Sequence, residues 1–309
     1  MKPTQIIDPL ILKNFIILHQ DFLRPKFPES KKTTKKGRPP VGLRWVIIAI
    51  CAFGRADNIV WRQLPSKLRL CNFLIEDGYC KKIPSKSTFH NYWDQVPQSS
   101  IKSWIRMSGH SLTSNGDEDL ALDSSGFELI IGSFWRLVKW GKKTILKSSS
   151  IFCKIHIAIT LPSRAIVSID TSKSEAHDSV LFGSVWKNMY KRIIQGLKRV
   201  HLDKAYWSGN IINFLDQENI TPVIPCKSNS KDHGTSSLMD TMVRMQRKMP
   251  GLYKLNNKTY LRAEVEHVFG EIKLQKTILR DYKQNNKLKT LLCSFLWYNH
   301  KIMSRRLIH

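Results

Sequence analysis

At 309 residues with 42% hydrophobic side chains, the chain can bury one large core and a smaller one, which excludes a disordered protein and favours one or two domains. Fifty Lys and Arg against 24 Asp and Glu give a formal net charge of +26. This excess favours a polyanionic partner, above all nucleic acid, although a merely solvated basic surface is the alternative.

The six cysteines are scattered without a C-x-x-C pair, which argues against a zinc site and against a disulfide framework. We therefore expect a reduced, intracellular compartment. The strongest apolar run, residues 45–53, is too short to span a bilayer, and the N-terminus carries no signal-peptide pattern. We expect no membrane partner and interpret the run as a buried helix.

The first composition shift is the basic segment 31–40, which ends in Pro39-Pro40 and so cannot continue a helix. It predicts an exposed arm. Lys35, Lys36 and Arg38 can lie along DNA phosphates or enter a minor groove, but a solvated linker explains the pattern equally well.

A further helix is predicted after the turn at Ile83-Pro84, with Ser85 or Ser87 as its cap. The pattern resembles the second helix of a helix-turn-helix, which would bring Lys86 to DNA. An ordinary core helix is an equally good interpretation. With the helical spacing after residue 41, these patterns predict an N-terminal segment and arm over 1–40 and a helical DNA-binding domain over 41–112.

From residue 113 the periodicity changes from helical to strand-like. The order of the elements predicts an α/β domain with a mixed sheet over residues 113–309, preceded by the smaller all-α domain. Its predicted elements are a strand over 120–123, a hairpin of 151–159 and 165–169, a helix over 178–194, a strand over 199–203, a helix over 210–217, a strand over 222–224 and a helix over 261–274.

Two acids, Asp123 and Asp203, each close one of these apolar strands. A buried charge needs a partner or a metal, and sites form at strand ends in α/β sheets. A turn or cap carboxylate explains either residue alone as well as function does. On the late helix, Arg262, Glu266 and Lys273 share one stripe; an ordinary salt bridge between Arg262 and Glu266 is the alternative interpretation.

Glu264 and Glu271 lie on the same helix but point away from that stripe, so Glu266 is the third acid that we select. Two carboxylates at strand ends and a third on a helix can hold two divalent ions about 3.5–4 Å apart for phosphoryl transfer. Oxygen ligands of this kind suit Mg²⁺ and Mn²⁺.

The motifs around these acids resemble those of the DDE transposases of bacterial and archaeal insertion sequences, specifically the IS-four/IS-five group. The likeness covers about residues 120–275. It departs from the family at Tyr260, which precedes Arg262 by two positions instead of three, and at Ala205, where Gly is usual. The matching segments are 122–125, 154–157 with 174–179, 202–208, which looks like the family's D-K-G-Y, and Arg262-x₃-Glu266-x₆-Lys273, which matches its R-x₃-E-x₆-K signature.

The resemblance implies a ribonuclease H-like catalytic fold in which Asp123, Asp203 and Glu266 are the catalytic and metal-binding residues for two Mg²⁺ or Mn²⁺ ions. It also implies binding to terminal inverted repeats and target DNA, a homodimer on DNA, and a cytoplasmic, nucleoid-associated protein of a prokaryote. We expect Arg262 and Lys273 to contact phosphates near the scissile bond. The alternatives are a ribonuclease H-like nuclease without strand transfer and a host-adopted DNA-binding protein that has lost the reaction.

Overall fold

The structure is a computed structural model that describes residues 7–29, 41–114, 118–129, 152–173, 177–275 and 283–306. These residues form two compact units. One contains the described residues up to Trp104 together with the C-terminal helix, and the other runs from Ile105 to Gln275. None of the six cysteines forms a disulfide bond. Among the described helices, none combines the length and the apolar character that crossing a membrane requires.

The helices are numbered in chain order. Short 3-10 turns cover Leu68–Leu70, Lys204–Tyr206 and Thr259–Arg262. The α-helices are α1 (Pro9–Lys26), α2 (Arg44–Ala56), α3 (Leu64–Lys67), α4 (Phe73–Glu76), α5 (Lys86–Asp94), α6 (Gln98–Leu112), α7 (Asp178–Lys187), α8 (Lys191–Gly196), α9 (Gly209–Gln217), α10 (Leu238–Lys248), α11 (Pro250–Asn256), α12 (Ala263–Leu274) and α13 (Gln284–Arg306).

The first unit is built on α2, in which every residue from Trp45 to Ala56 is buried, as the sequence predicts for its apolar run. Burying one large apolar side chain contributes about 1.5–3 kcal/mol, so α2 is the natural centre of this unit. Helix α1 lies inside the segment predicted only as an N-terminal extension. It begins because the Asp8 carboxylate accepts the N–H groups of Leu10 and Ile11.

The C-terminal helix α13 packs in this first unit, whereas the sequence-based division grouped it with residues 113–309. Trp297 lies against Phe53 of α2, with ring centroids 5.3 Å apart, and Arg55 donates to the Thr290 hydroxyl. In each of these two contacts the residues are more than 200 positions apart in the sequence. An amphipathic pattern does not specify which hydrophobic core a helix joins.

Helix α5 begins at the predicted place. Of the two possible caps it uses Ser85, whose hydroxyl oxygen accepts the N–H of Thr88. Its other end is tied to α13, because the buried Lys289 ammonium donates to the carbonyl oxygens of Trp93 and Asp94. Lys86, in the first turn, is exposed.

The second unit contains a five-stranded mixed sheet, which confirms the predicted α/β class. Its order is β3-β2-β1-β4-β5, with antiparallel pairs β1–β2 and β2–β3 and parallel pairs β1–β4 and β4–β5. The predicted hairpin is therefore correct. The strands are β1 (Asp119–Glu128), β2 (Phe152–Leu161), β3 (Ile166–Lys173), β4 (Arg199–Leu202) and β5 (Thr221–Val223).

Strand β1 is longer than predicted, so the expectation that Asp123 closes its strand is wrong. Pairing with β2 continues to Glu128, while pairing with β4 stops at Leu122. Burial falls at the same point: the residues from Asp119 to Leu122 are buried, and those that follow are not. The apolar run marks the covered part of β1 and not its full length.

Two helical regions also differ from the predictions. The helix expected over 178–194 is divided into α7 and α8, because Tyr190 adopts an extended backbone at the start of α8. Helices α10 and α11 occupy a stretch that the sequence predicted only as polar. Ser237 caps α10 by accepting the N–H of Asp240, and Pro250 lies in the first turn of α11.

Candidate active site

The register of the sheet places Asp123 beside Asp203. Strands β1 and β4 are parallel neighbours, and their last paired residues are Leu122 and Leu202. Asp123 is the next residue of β1 and Asp203 is the first residue after β4, so the two carboxylates lie at the same end of the parallel pair. Two acids that are 80 positions apart are thus brought together by backbone pairing alone.

Asp123 is partly buried, and its carboxylate is held by the backbone. The Ser124 N–H donates to its Oδ1 atom at 2.7 Å. Burial is the main cause that raises the pKa of Asp123 to about 6. The Ser124 N–H and Arg262 oppose this rise, and the nearby carboxylates of Asp203 and Asp178 add to it. A carboxylate in this setting is stabilised by any cation that approaches it.

Asp203 is held in the same way. It caps the 3-10 turn that follows β4, and the Lys204 N–H donates to its Oδ1 atom at 2.7 Å. Nη1 of Arg262 also lies 3.4 Å from Oδ1 of Asp203. Asp203 therefore combines a backbone contact with an ion pair.

Glu266 joins the site through Arg262, whose Nη2 donates to its Oε1 atom at 2.6 Å. The guanidinium therefore lies between the carboxylates of Asp203 and Glu266. The side chain of Glu266 is 52% exposed, against 37% for Asp203. The salt bridge that the sequence left as an alternative is present, and it forms part of the site.

The other acid of the first turn of α12 has different partners. Glu264 pairs with Arg164 of the β2–β3 turn at 2.6 Å and with His267 at 3.5 Å. This agrees with the prediction that Glu264 points away from Glu266. Tyr260, one of the two departures from the family pattern, is largely exposed.

The three selected acids supply oxygen donors that suit a hard divalent cation. Within the described residues, however, no three His, Cys, Asp or Glu side chains lie close enough to share one metal ion. The Arg262 guanidinium stands between two of the acids, where it balances charge that a metal ion would otherwise balance. The donor chemistry fits Mg²⁺ or Mn²⁺, provided that Arg262 moves aside.

Two polar residues missed by sequence reasoning also border Asp123. Asp178, the first residue of α7, accepts the Ser124 hydroxyl at 2.7 Å and pairs with Lys154 at 2.6 Å. The Tyr206 hydroxyl is buried and has no hydrogen-bond partner among the described residues. Its pKa is raised by burial and then by Asp178, Asp123 and Asp203. The family-like segments 154–157 and 174–179 were the only sequence signal for the Asp178 contacts.

The predicted DNA contacts fall in different places. Lys273 is exposed on α12, with its Nζ atom over the Phe127 ring at 5.3 Å from the centroid. Lys86 is in the other unit, at the start of α5. Lys35, Lys36 and Arg38 lie outside the described residues.

One match to a known protein family identifies the family of this chain. A cryo-EM structure of the piggyBac transposase synaptic complex with hairpin DNA aligns with a TM-score of 0.45 and 10% sequence identity, over 98% of this chain and 76% of that chain. No curated protein matches significantly. Residues 114–299 match the family described as "Transposase DDE domain". Because this match spans more than half of the 309 residues, the chain belongs to the transposase DDE domain family.

Proposed function

We propose that this protein cuts DNA at the ends of an insertion sequence and joins those ends to target DNA in a Mg²⁺- or Mn²⁺-dependent reaction. Membership of the transposase family gives the chain its role in DNA transposition. The observation that carries the finer proposal is the pairing of β1 with β4, which places Asp123 beside Asp203, together with Arg262, which contacts both Asp203 and Glu266.

In this proposal the three acids hold the divalent ions. When bound, the ions activate the attacking oxygen and stabilise the leaving oxygen of the phosphodiester. The backbone N–H groups of Ser124 and Lys204 fix the orientation of the two aspartates before DNA arrives. Such preorganisation matters because a small misplacement of a reacting group costs a large factor in rate.

Arg262 has a second role in the reaction. Its guanidinium is 31% exposed and pairs with two carboxylates. If those carboxylates held cations, the guanidinium would be available for the phosphate that flanks the scissile bond, to which arginine can donate bidentate hydrogen bonds. Lys273 lies farther along α12 and contributes a second phosphate contact.

The two units divide DNA binding in this proposal. The first unit reads the terminal inverted repeats through α5, whose exposed first turn carries Lys86, and the arm over 31–40 adds phosphate contacts. The second unit is a ribonuclease H-like catalytic domain, which is supported by the three antiparallel strands followed by two parallel ones. A homodimer holding two ends, in a prokaryotic nucleoid, completes the proposal.

The test is incubation of the purified chain with Mg²⁺ or Mn²⁺, a labelled duplex carrying the flanking element's ends, and a supercoiled target plasmid. We expect cleavage at the ends and covalent joining to the plasmid, both of which EDTA prevents. End cleavage without joined products would identify a nuclease and contradict the transposase reaction. Specific binding without cleavage would identify a DNA-binding protein that has lost catalysis. The variant Asp232→Asn, which breaks an exposed ion pair with Arg244, is the matched control for changes of the three acids.

A further inference from the structure

Asp178 stands beside the candidate site and is tied to it by several contacts. It is the first residue of α7, and its Oδ1 atom accepts the hydroxyl of Ser124 at 2.7 Å. The ammonium of Lys154 lies 2.6 Å from the same oxygen, and Nδ1 of His156 lies 3.7 Å away. The side chain is only 17% exposed, so its charge depends on these partners.

Ser124 connects this acid to Asp123. Its backbone N–H donates to Asp123 Oδ1 at 2.7 Å, while its hydroxyl donates to Asp178 Oδ1 at 2.7 Å. The peptide group that orients the Asp123 carboxylate is therefore anchored, through its own side chain, to a carboxylate on α7. Past Leu122, strand β1 has no further pairing with β4, so this contact supports β1 where one neighbouring strand is missing.

We propose that Asp178 is a positioning residue for Asp123, acting through Ser124, and that Lys154 stabilises it in that role. The inference rests on the proposed function, since it assumes that Asp123 binds a divalent ion. We assign Asp178 to this role, and not to that of a ligand, on its contacts with Ser124 and Lys154, both of which bind its Oδ1 atom. Groups that orient a metal ligand from behind typically change metal affinity by about 10–100-fold when they are removed.

The expected effect can be measured without DNA or turnover, as Mn²⁺ binding to the full-length chain by electron paramagnetic resonance. We expect Asp178→Ala and Ser124→Ala each to weaken binding by about tenfold or more. The double variant should be little worse than either single one, since both changes break the same connection. Asp178→Asn keeps an oxygen that accepts the Ser124 hydroxyl, so it should retain more affinity than Asp178→Ala.

Asp170→Ala is the matched control. Asp170, on β3, accepts the hydroxyl of Ser184 in α7, so this change removes a contact of the same helix without touching Ser124. We expect it to lower the melting temperature and leave Mn²⁺ affinity unchanged. Equal losses of affinity in Asp170→Ala and Asp178→Ala would mean that general loosening of α7 is the cause, and would overturn the inference.

The remaining outcomes separate this inference from the proposed function. Mn²⁺ binding that Asp123→Asn removes but Asp178→Ala and Ser124→Ala leave intact would refute the role of Asp178 alone. Complete loss in both Asp178→Asn and Asp178→Ala would make Asp178 a ligand and also refute positioning. Binding without DNA cleavage by the wild type would count against the proposed function only, and no Mn²⁺ binding by the wild type would remove both. If Asp178→Ala does not fold, Ser124→Ala and Asp178→Asn still decide.

Discussion

The candidate site has two sides that are built differently. On the sheet side, Asp123 and Asp203 are placed by strand register, and each carboxylate accepts the N–H of the next residue at 2.7 Å. On the helix side, the side chain of Glu266 is half-exposed. Its carboxylate pairs with the long side chain of Arg262. Backbone contacts fix the two aspartates, whereas side-chain rotation can move Glu266. If the three acids bind metal as proposed, the two aspartates would form a preformed pair and Glu266 would adjust its side chain on binding.

The largest expected effect comes from the sheet side. Asp123→Asn or Asp203→Asn removes the charge of a proposed ligand and almost no volume, so DNA binding should persist. Metal-dependent cleavage should fall by about 1,000-fold or more. The reason is that the ion supplies several kcal/mol of transition-state stabilisation, and each 1.36 kcal/mol is tenfold in rate. Glu266→Gln should behave similarly, and Glu264→Gln should stay active. Single-turnover cleavage rates would measure this. An active Glu266→Gln with an inactive Glu264→Gln would contradict the choice of Glu266.

The second prediction uses the buried position of Asp123. Its pKa is raised to about 6, from 3.8 for an ordinary aspartate. Between these values the folded protein binds more protons than the unfolded chain, so this residue lowers the free energy of unfolding as the pH rises from about 4 to about 6. Without metal, we expect Asp123→Asn to be more stable than wild type at pH 7 by about 3 kcal/mol and nearly equal in stability near pH 4.

Melting temperatures in EDTA across that pH range would measure this difference. Mn²⁺ should reverse it, because the ion competes with the proton for the Asp123 carboxylate and stabilises only the wild type. If the wild type were more stable than Asp123→Asn at pH 7 in EDTA, the charge of the buried Asp123 carboxylate would not lower the stability of the fold, and the prediction would be wrong.

A smaller effect is expected on the helix side. Arg262→Ala removes the cation that pairs with Asp203 and Glu266, so Mn²⁺ should bind a few-fold more tightly, in proportion to the 0–1 kcal/mol that exposed ion pairs typically contribute. DNA affinity should fall. Arg164→Ala is the control, because it breaks a pair of the same 2.6 Å length with Glu264 on the same helix. Weaker Mn²⁺ binding by Arg262→Ala would instead mean that Arg262 orients Glu266 as a ligand.

The sequence predicted the sheet side because apolar runs end where the strands lose their cover, which marks Asp123 and Asp203. Helical periodicity predicted that Glu264 and Glu266 point in different directions, and their observed ion-pair partners differ, while the choice of Glu266 as a ligand stays a prediction. The contact between Ser124 and Asp178 spans 54 positions and has no local pattern, so only the fold shows it.

The errors have a similar cause. The pairing of β1 with β2 beyond Asp123 depends on a partner strand about 30 positions away, and no local pattern measures the length of that pairing. The α13 helix was placed by its position in the chain, but its packing against α2 decides its unit. Helix α10 did have a local signal that was overlooked: Ser237 followed three residues later by Asp240, a spacing at which a serine caps a helix.

The smallest expected effect concerns Lys273, which tests how far the DNA path extends beyond the acids. Its ammonium lies over Phe127, and Phe127 is four residues after Asp123 on the same face of β1, because side chains alternate along a strand. At about 3.3 Å per residue, the two positions are about 13 Å apart, or about four nucleotide steps along DNA. A DNA strand that passes Asp123 and runs parallel to β1 would therefore still be within reach of the Lys273 ammonium.

Removing one phosphate contact should lower the slope of log affinity against log salt concentration by about one unit, equally for end DNA and random DNA, since phosphate contacts do not read bases. We therefore expect this change in Lys273→Ala when binding is measured without metal. Lys198→Ala is the control: Lys198 pairs with Glu118 at 2.7 Å and immediately precedes β4, whereas Asp203 follows that strand. An unchanged slope in Lys273→Ala, or an equal change in Lys198→Ala, would mean that DNA does not follow β1 past Phe127.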